Sequence, residues 1–324
     1  MKILSLFWHN ICSDSMSPKN LDRLSSTVPM FRDHVRLIIN NYTPISISDF
    51  VEIANNPDLI RSHPKPPVLL GFDDGFKNVI TQALPILNEF RIPAVFFVIG
   101  EILRNQEFVP WFVEFIHLIR RTQKRRIDHN GLTIDLSSRQ DYVRLLHLFE
   151  NSFKACRLES DRQRLLTEFG DRLDLGRPVA SELDDDLRFV TKEDLAALAS
   201  SSLLTVASHA MTHRHLESLT YDEQVSELEQ SDVLLRKHCP AYYPVISYPG
   251  GSFKAETLAI AKRIYKAGFA VSVGSSYRNR YAHPRIGIDH AAKDELAYII
   301  SPKRLNYILP LKRLLHATGI RRVM

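Results

Sequence analysis

The stretch that most constrains this 324-residue chain is Gly71-Phe72-Asp73-Asp74-Gly75-Phe76. It follows an apolar run, Val68-Leu69-Leu70, which reads as a buried strand. It precedes Asn78 and a periodic segment, Val79, Ile80, Ala83, Leu84, Ile86 and Leu87, which reads as a helix to Phe90. Two adjacent carboxylates therefore sit where a strand ends, with Gly75 easing the turn. Neighbouring side chains on an extended segment point different ways, so one carboxylate can hold a metal while the other faces a reacting atom. Standing alone, Asp-Asp-Gly reads equally as an ordinary turn with its side chains on nearby amides.

Two later stretches repeat the pattern. Ser208-His209-Ala210-Met211-Thr212-His213 follows the strand-like run 203–207, and Tyr248-Pro249-Gly250-Gly251-Ser252 follows 245–247. Two histidines four residues apart can converge on one ion, from a helix or from a tight loop. Imidazole with carboxylate suits zinc and its borderline neighbours. Taken in order, the three stretches resemble the polysaccharide deacetylase family, the NodB-homology group also called carbohydrate esterase family 4. The resemblance covers 1–100 and 191–290. It implies a distorted (β/α) barrel of the NodB-homology type, and 101–190 is expected to be a mainly helical insertion. The alternation of strands and helices, with each motif at a strand end, independently puts the site at the C-terminal mouth of the strands.

The resemblance implies a metal-dependent hydrolase that removes N-acetyl groups from an acetamido sugar of a polysaccharide or glycolipid precursor. The ion, zinc by ligand type, falls to Asp74, His209 and His213, the general base to Asp73, and the oxyanion donor to the Gly250 amide. Three departures from the family pattern stand out. The arginine that often precedes the proline, and steadies the catalytic Asp, is replaced by Ser247 and Tyr248, with Arg285 on the last strand candidate (285–288) as a substitute. Gly250 stands where an aromatic follows the proline, which is expected to widen the cleft. The late Leu-His motif that supplies the general acid is not recognisable, leaving His9, His283 and His290 as candidates; His215 reads as supporting or structural. The alternatives are deformylation or hydrolysis of another sugar-linked amide, and, in a different class, a non-catalytic carbohydrate-binding relative. The intact Asp73, Asp74, His209 and His213 argue against the last.

Elsewhere the chain reads plainly. Ile3 to Trp8 is a first strand with His9 at its end, 13–30 a loop, and 31–40 and 47–54 short elements. Within the insertion, 111–120 and 140–148 read as helices. Arg120, Arg121, Lys124, Arg125 and Arg126 read as a solvated helix end, or else as a clamp for an anionic sugar substituent. Asp184-Asp185-Asp186 reads as a loop or cap. Thr191 reads as the N-cap of a helix running to about Ser200. Three scattered cysteines indicate neither a disulfide framework nor a thiolate site.

The net charge of +5 is uneven. Residues 301–324 carry six basic side chains and no acid, so the rest sums to −1, which argues against a nucleic-acid partner. That tail interleaves leucines with basic residues and is broken by Pro310. It is expected either to pack on the barrel or to touch an anionic membrane peripherally. The first apolar run is too short for a signal-peptide core, so the expected location is cytoplasmic, or membrane-associated through the tail.

Overall fold

The computed structural model describes residues 3–13, 24–129, 131–156, 158–198, 203–271, 279–289, 291–301 and 304. The chain opens with β1 (Leu4–Trp8), the short parallel pair β2 (Asn10–Cys12) and β3 (Ser25–Thr27), and helix α1 (Val28–Asn41). Then come β4 (Thr43–Pro44), α2 (Ile47–Asn55), β5 (Pro67–Phe72), a π-turn over Val79–Ala83, α3 (Leu84–Phe90) and β6 (Ala94–Val98). Residues 101–190 hold α4 (Glu101–Arg104), α5 (Trp111–Arg121), the antiparallel hairpin β7 (Arg126–His129) and β8 (Leu132–Asp135), α6 (Arg139–Ala155) and α7 (Glu159–Arg172). Alternation resumes with α8 (Lys192–Ala197), β9 (Leu204–Ser208), α9 (Tyr221–His238), β10 (Tyr242–Ser247), α10 (Ala255–Ile264) and β11 (Ala267–Ala270). It ends with β12 (His283–Pro284), β13 (Ile286–Gly287) and α11 (Lys293–Ile299).

The large sheet runs β12-β11-β10-β9-β6-β5-β1-β13, with β4 added to the start of β5. Its two ends belong to one extended segment. His283 and Pro284 pair with Phe269 and Ala270 of β11, while Ile286 and Gly287 pair with Leu6 and Phe7 of β1. At the break between them the Arg285 amide donates to the Ala270 carbonyl, and the Ile288 amide to that of Phe7. The seam thus closes a parallel barrel and removes the open edges that an eight-stranded sheet would otherwise expose. Parallel strands buried on both faces need continuous apolar sequence, which is what β5 and β6 supply.

Strand alternation sends Leu69, Val95, Ala207, Val245 and Phe269 into the lower barrel, where Ile47, Phe50 and Val51 of α2 plug the floor. At the strand ends above it the interior turns polar, with Ser247 two residues beyond Val245, Asp73 just after β5, and Arg285 at the barrel seam. The catalytic candidates are therefore the top layer of a packed barrel, at the strand ends.

Three expectations are corrected. Residues 13–30 are not all loop: β3 lies at 25–27, and α1 starts at Val28 because the Thr27 hydroxyl caps the Met30 amide and Pro29 suits the first helical turn. The helix capped by Thr191 is α-helical over Lys192–Ala197, with its reciprocal box with Asp194 present, and passes at Leu198 into a 3-10 turn; residues 199–202 lie outside the described residues. The strand expected at 269–273 is β11, Ala267–Ala270. The basic run at 120–126 is not a free clamp. Arg120 bonds both Asp186 oxygens at 3.0 Å, Arg121 reaches Asp184 at 2.6 Å, and Lys124 reaches Asp174 at 2.8 Å. Arg120 and Arg121 are thus tied to Asp184 and Asp186 of the acidic run, and the aromatic core of this segment stacks Phe115 on Phe169 and Trp111 on Phe153.

Candidate metal centre and active site

Asp73 and Asp74 occupy the turn after β5, and the backbone sends them in different directions. The Asp73 amide donates to the Trp8 carbonyl, so its backbone still follows the sheet. Asp74 sits at φ 74°, in the left-handed region, followed by Gly75 at φ 92°. The strain at a non-glycine residue here is the kind that clusters at functional sites.

The histidine pair lies in a tight loop, not on a helix. Ala210 and His213 both have φ 60°, and this unfavourable path brings two rings four residues apart to one side, their centroids 4.9 Å from each other. The buried carboxylate of Glu227, on α9, holds the loop by accepting the amides of Met211 and Thr212 at 3.0 and 2.8 Å.

One ligand atom from each of Asp74, His209 and His213 lies within 4.8 Å of the others. Asp74 Oδ1 is 3.2 Å from His209 Nε2 and 3.4 Å from His213 Nε2. His209 Nδ1 is 2.8 Å from the Ser247 carbonyl. A carbonyl only accepts, so Nδ1 donates to it and Nε2 is the nitrogen turned toward Asp74. Burial lowers the His213 pKa, against the pull of Asp74, and favours its neutral form. One carboxylate oxygen and two ring nitrogens thus converge in a buried pocket, and this donor set fits a divalent ion with one carboxylate and two imidazole ligands.

Asp73 is the other half of the pair. Arg285 grips it with both arms, Nη1 to Oδ1 at 2.8 Å and Nη2 to Oδ2 at 2.7 Å, and the Ser247 hydroxyl adds a contact at 3.3 Å. The Arg285 guanidinium is itself packed over the Phe7 ring at 4.3 Å. Burial alone would raise the Asp73 pKa, but the charge and hydrogen bonds of Arg285 outweigh it and hold the group ionised. Arg285 is buried and reaches Asp73 from the barrel seam, so it is no surface ion pair.

His9, just beyond β1, is bound at two points by Asp289. Its amide donates to Asp289 Oδ1 at 2.7 Å, and its Nδ1 lies 2.8 Å from Oδ2. Burial pulls its pKa down, but Asp289, with Asp74 and Asp73 behind it, pushes the net value up to about 9. Asp289 is in turn held by the Ser26 hydroxyl, which donates to its carbonyl. His283 does not join the site: it lies lower in the barrel, edge-on to Phe50 at 4.8 Å and to Phe269 at 5.8 Å. His290 lies outside the described residues.

The turn after β10 corrects another expectation. Gly250 has φ 60°, and a Cβ there would stand 2.4 Å from the His215 ring. The space vacated by the missing side chain is filled by an imidazole, so the glycine opens no cleft. The Gly251 amide is spent on the Tyr248 carbonyl, at 2.8 Å. Glu227, the Ser247 carbonyl and Asp289 escaped the sequence reading. Each is a generic residue type, and only the tertiary contact marks it.

The family model described as polysaccharide deacetylase matches residues 60–268. The chain belongs to the polysaccharide deacetylase family. Its members are hydrolases acting on carbon–nitrogen bonds of acetamido sugars. Among curated proteins, a putative polysaccharide deacetylase of Bacillus subtilis, YxkH, is 29% identical over 119 residues, 35% of this chain and 42% of that one. A poly-beta-1,6-N-acetyl-D-glucosamine N-deacetylase of Escherichia coli K12 is 28% identical over 97 residues, 30% of this chain. The match spans 14% of the E. coli protein, so the chain covers a minor part of both relatives. Among solved structures, the Streptococcus pyogenes deacetylase PplD in complex with acetate superposes with a TM-score of 0.60 at 19% identity. That match covers 93% of this chain and 99% of that one, and it shows a shared barrel fold.

Proposed function

We propose that this protein is a metal-dependent N-deacetylase acting on an acetamido sugar of a polysaccharide or glycolipid precursor. The observation that carries the reading is the division of labour between adjacent carboxylates. Asp74 converges with His209 and His213, while Asp73 is pinned beside them by Arg285.

Asp74 Oδ1, His209 Nε2 and His213 Nε2 would hold the ion, with zinc favoured by the imidazole and carboxylate donors. Bound there, a divalent ion supplies Lewis-acid polarisation of the amide carbonyl and acidifies the attacking water. Asp73, kept ionised by Arg285, takes the water's proton on a carboxylate oxygen. The Gly250 N–H, in the turn after β10, donates to the carbonyl oxygen as negative charge develops on it. His9 enters protonated, with Nδ1–H fixed on Asp289, and gives the Nε2 proton to the departing amine. Asp289 keeps that proton in place at neutral pH and orients the ring. The barrel below is packed with apolar side chains, which confines these groups to the mouth.

The test is acetate and formate release by the zinc-loaded protein from a panel of N-acetylated and N-formylated sugars, monomeric and polymeric. Acetate release from an acetamido sugar is the expected result. Formate release alone would move the reading to a deformylase. Release of neither would overturn it.

A further inference from the structure

The two imidazoles of the metal cluster are held in different ways. His209 donates through Nδ1 to the Ser247 carbonyl at 2.8 Å, and this bond fixes the rotation of its ring. Metal-binding histidines ordinarily have such a partner on the ring nitrogen turned away from the ion. His213 has none: its Nδ1 is buried without a hydrogen-bond partner. The last torsion of a histidine side chain is soft and roughly two-fold, so an unanchored ring needs another constraint to keep Nε2 on the ion. The ring must also project from a backbone that stays in place. That backbone takes an unfavourable path, with Ala210 and His213 both at φ 60°.

Glu227 fixes the backbone. Its buried carboxylate accepts hydrogen bonds from residues on both sides of His213. Oε2 takes the Met211 and Thr212 amides at 3.0 and 2.8 Å. Oε1 takes the Thr212 hydroxyl at 2.5 Å and Arg214 Nε and Nη2 at 3.1 and 3.0 Å. Both oxygens are needed as acceptors, so a carboxylate fits where an amide does not. Phe112 fixes the ring. It is buried and packs on the His213 imidazole with centroids 4.7 Å apart. It stands on α5, where the adjacent Trp111 stacks on Phe153 of α6 at 4.8 Å and Glu114 is gripped by Arg177 at 2.7 and 2.9 Å. Phe112 is therefore a seated wall through which the imidazole cannot turn.

We propose that Glu227 and Phe112 are positioning residues of the metal centre. Glu227 holds the loop from which His213 projects, and Phe112 blocks rotation of the ring in place of the missing bond at Nδ1. Residues 101–190 then serve the metal centre directly, through α5. The proposal rests on Asp74, His209 and His213 as the ligands, and goes beyond that reading by saying what aims His213.

The test measures zinc affinity of the full chain, stripped of metal, by competition with a chelating dye. The visible spectrum of the cobalt-loaded protein reports ligand geometry, and far-ultraviolet circular dichroism checks that each variant is folded. Glu227→Gln keeps the side chain's size but turns one acceptor into a donor, facing either two backbone N–H groups or a guanidinium. Phe112→Ala frees the ring. Each should weaken zinc binding about 10–100-fold, the usual cost of losing a ligand's support, and alter the cobalt spectrum. Phe112→Leu, a milder truncation, should fall between the wild type and Phe112→Ala, and it keeps the test open if the latter does not fold. Glu229→Gln removes the same charge from the exposed face of α9 and should bind zinc like the wild type. Wild-type affinity in every folded variant would overturn both positioning roles and leave the three ligands standing. Equal weakening by Glu229→Gln would reduce the Glu227 effect to net charge and overturn its role. A wild type that binds neither zinc nor cobalt would overturn the ligand assignment itself. The readout needs no substrate, so weakened zinc binding in the variants, with no acetate release from any sugar, would overturn the activity and leave the positioning roles standing.

Discussion

Replacing Asp289 by Asn keeps size and shape but removes the charge that holds the proton on His9. In the folded protein His9 titrates near 9, against 6.5 for a free imidazole, and Asp289 is the largest favourable contributor. The contribution has a definite sign. The stability that His9 gains from its partner is fully present below 6.5 and is lost as pH rises through about 9. Catalysis that needs His9 protonated fails over the same upper window. If Asp289→Asn returned the ring to its ordinary value, at pH 8 the protonated fraction would drop from about 0.9 to about 0.03, an activity loss of about 30-fold; at pH 6 the loss would be less than about twofold. The assay is kcat/KM for acetate release from pH 5 to 10.5 on both proteins, with protein integrity followed by circular dichroism. The alkaline limb should move toward neutrality in the variant. An unmoved limb, or an equal fractional loss at every pH, would refute His9 as the acid and Asp289 as its partner.

Other perturbations follow from the same geometry. His213→Ala removes one of the three proposed ligands, so elemental analysis should show much less divalent metal than in the wild type; equal content would remove His213 from the site. Arg285→Met strands Asp73 as a buried, unpaired carboxylate, which should cost about 3–5 kcal/mol in denaturant unfolding and raise the Asp73 pKa; a cost under about 1 kcal/mol would show that the pair is not structurally coupled. The basic tail, most of which lies outside the described residues, should bring the full chain down with anionic but not neutral vesicles at low salt, whereas a chain ending at Ile300 should stay in solution. If the full chain ignores anionic vesicles, the tail's charge is incidental to membranes.

Much of the barrel was legible because parallel strands advertise themselves. Val68–Leu70 and Ala94–Val98 are continuous apolar runs, and a polar or glycine turn follows each strand that carries a motif. Among the described residues, no helix is long and apolar enough to cross a membrane. The seam was harder to read. Residues 283–287 split their pairing between two strands, so no local pattern predicts the closure or the arrival of Arg285 at Asp73, 212 residues away in sequence. The loop character of the histidine pair was also hidden, since i and i+4 suits a helix as well. What decides it is φ 60° at Ala210 and His213, held by a carboxylate on α9. Gly250 misled for the same reason: a glycine in sequence signals room, and only the fold shows that the His215 ring has taken it.

The most direct test of the central claim separates the two adjacent carboxylates. Asp73→Asn keeps the side chain's size and leaves Asp74, His209 and His213 untouched. Metal content by elemental analysis and acetate release should therefore part company: full metal occupancy, with turnover down by about 10²–10⁴. A variant that loses its metal would show that Asp73 is a ligand, and one that keeps full turnover would show that another group activates the water.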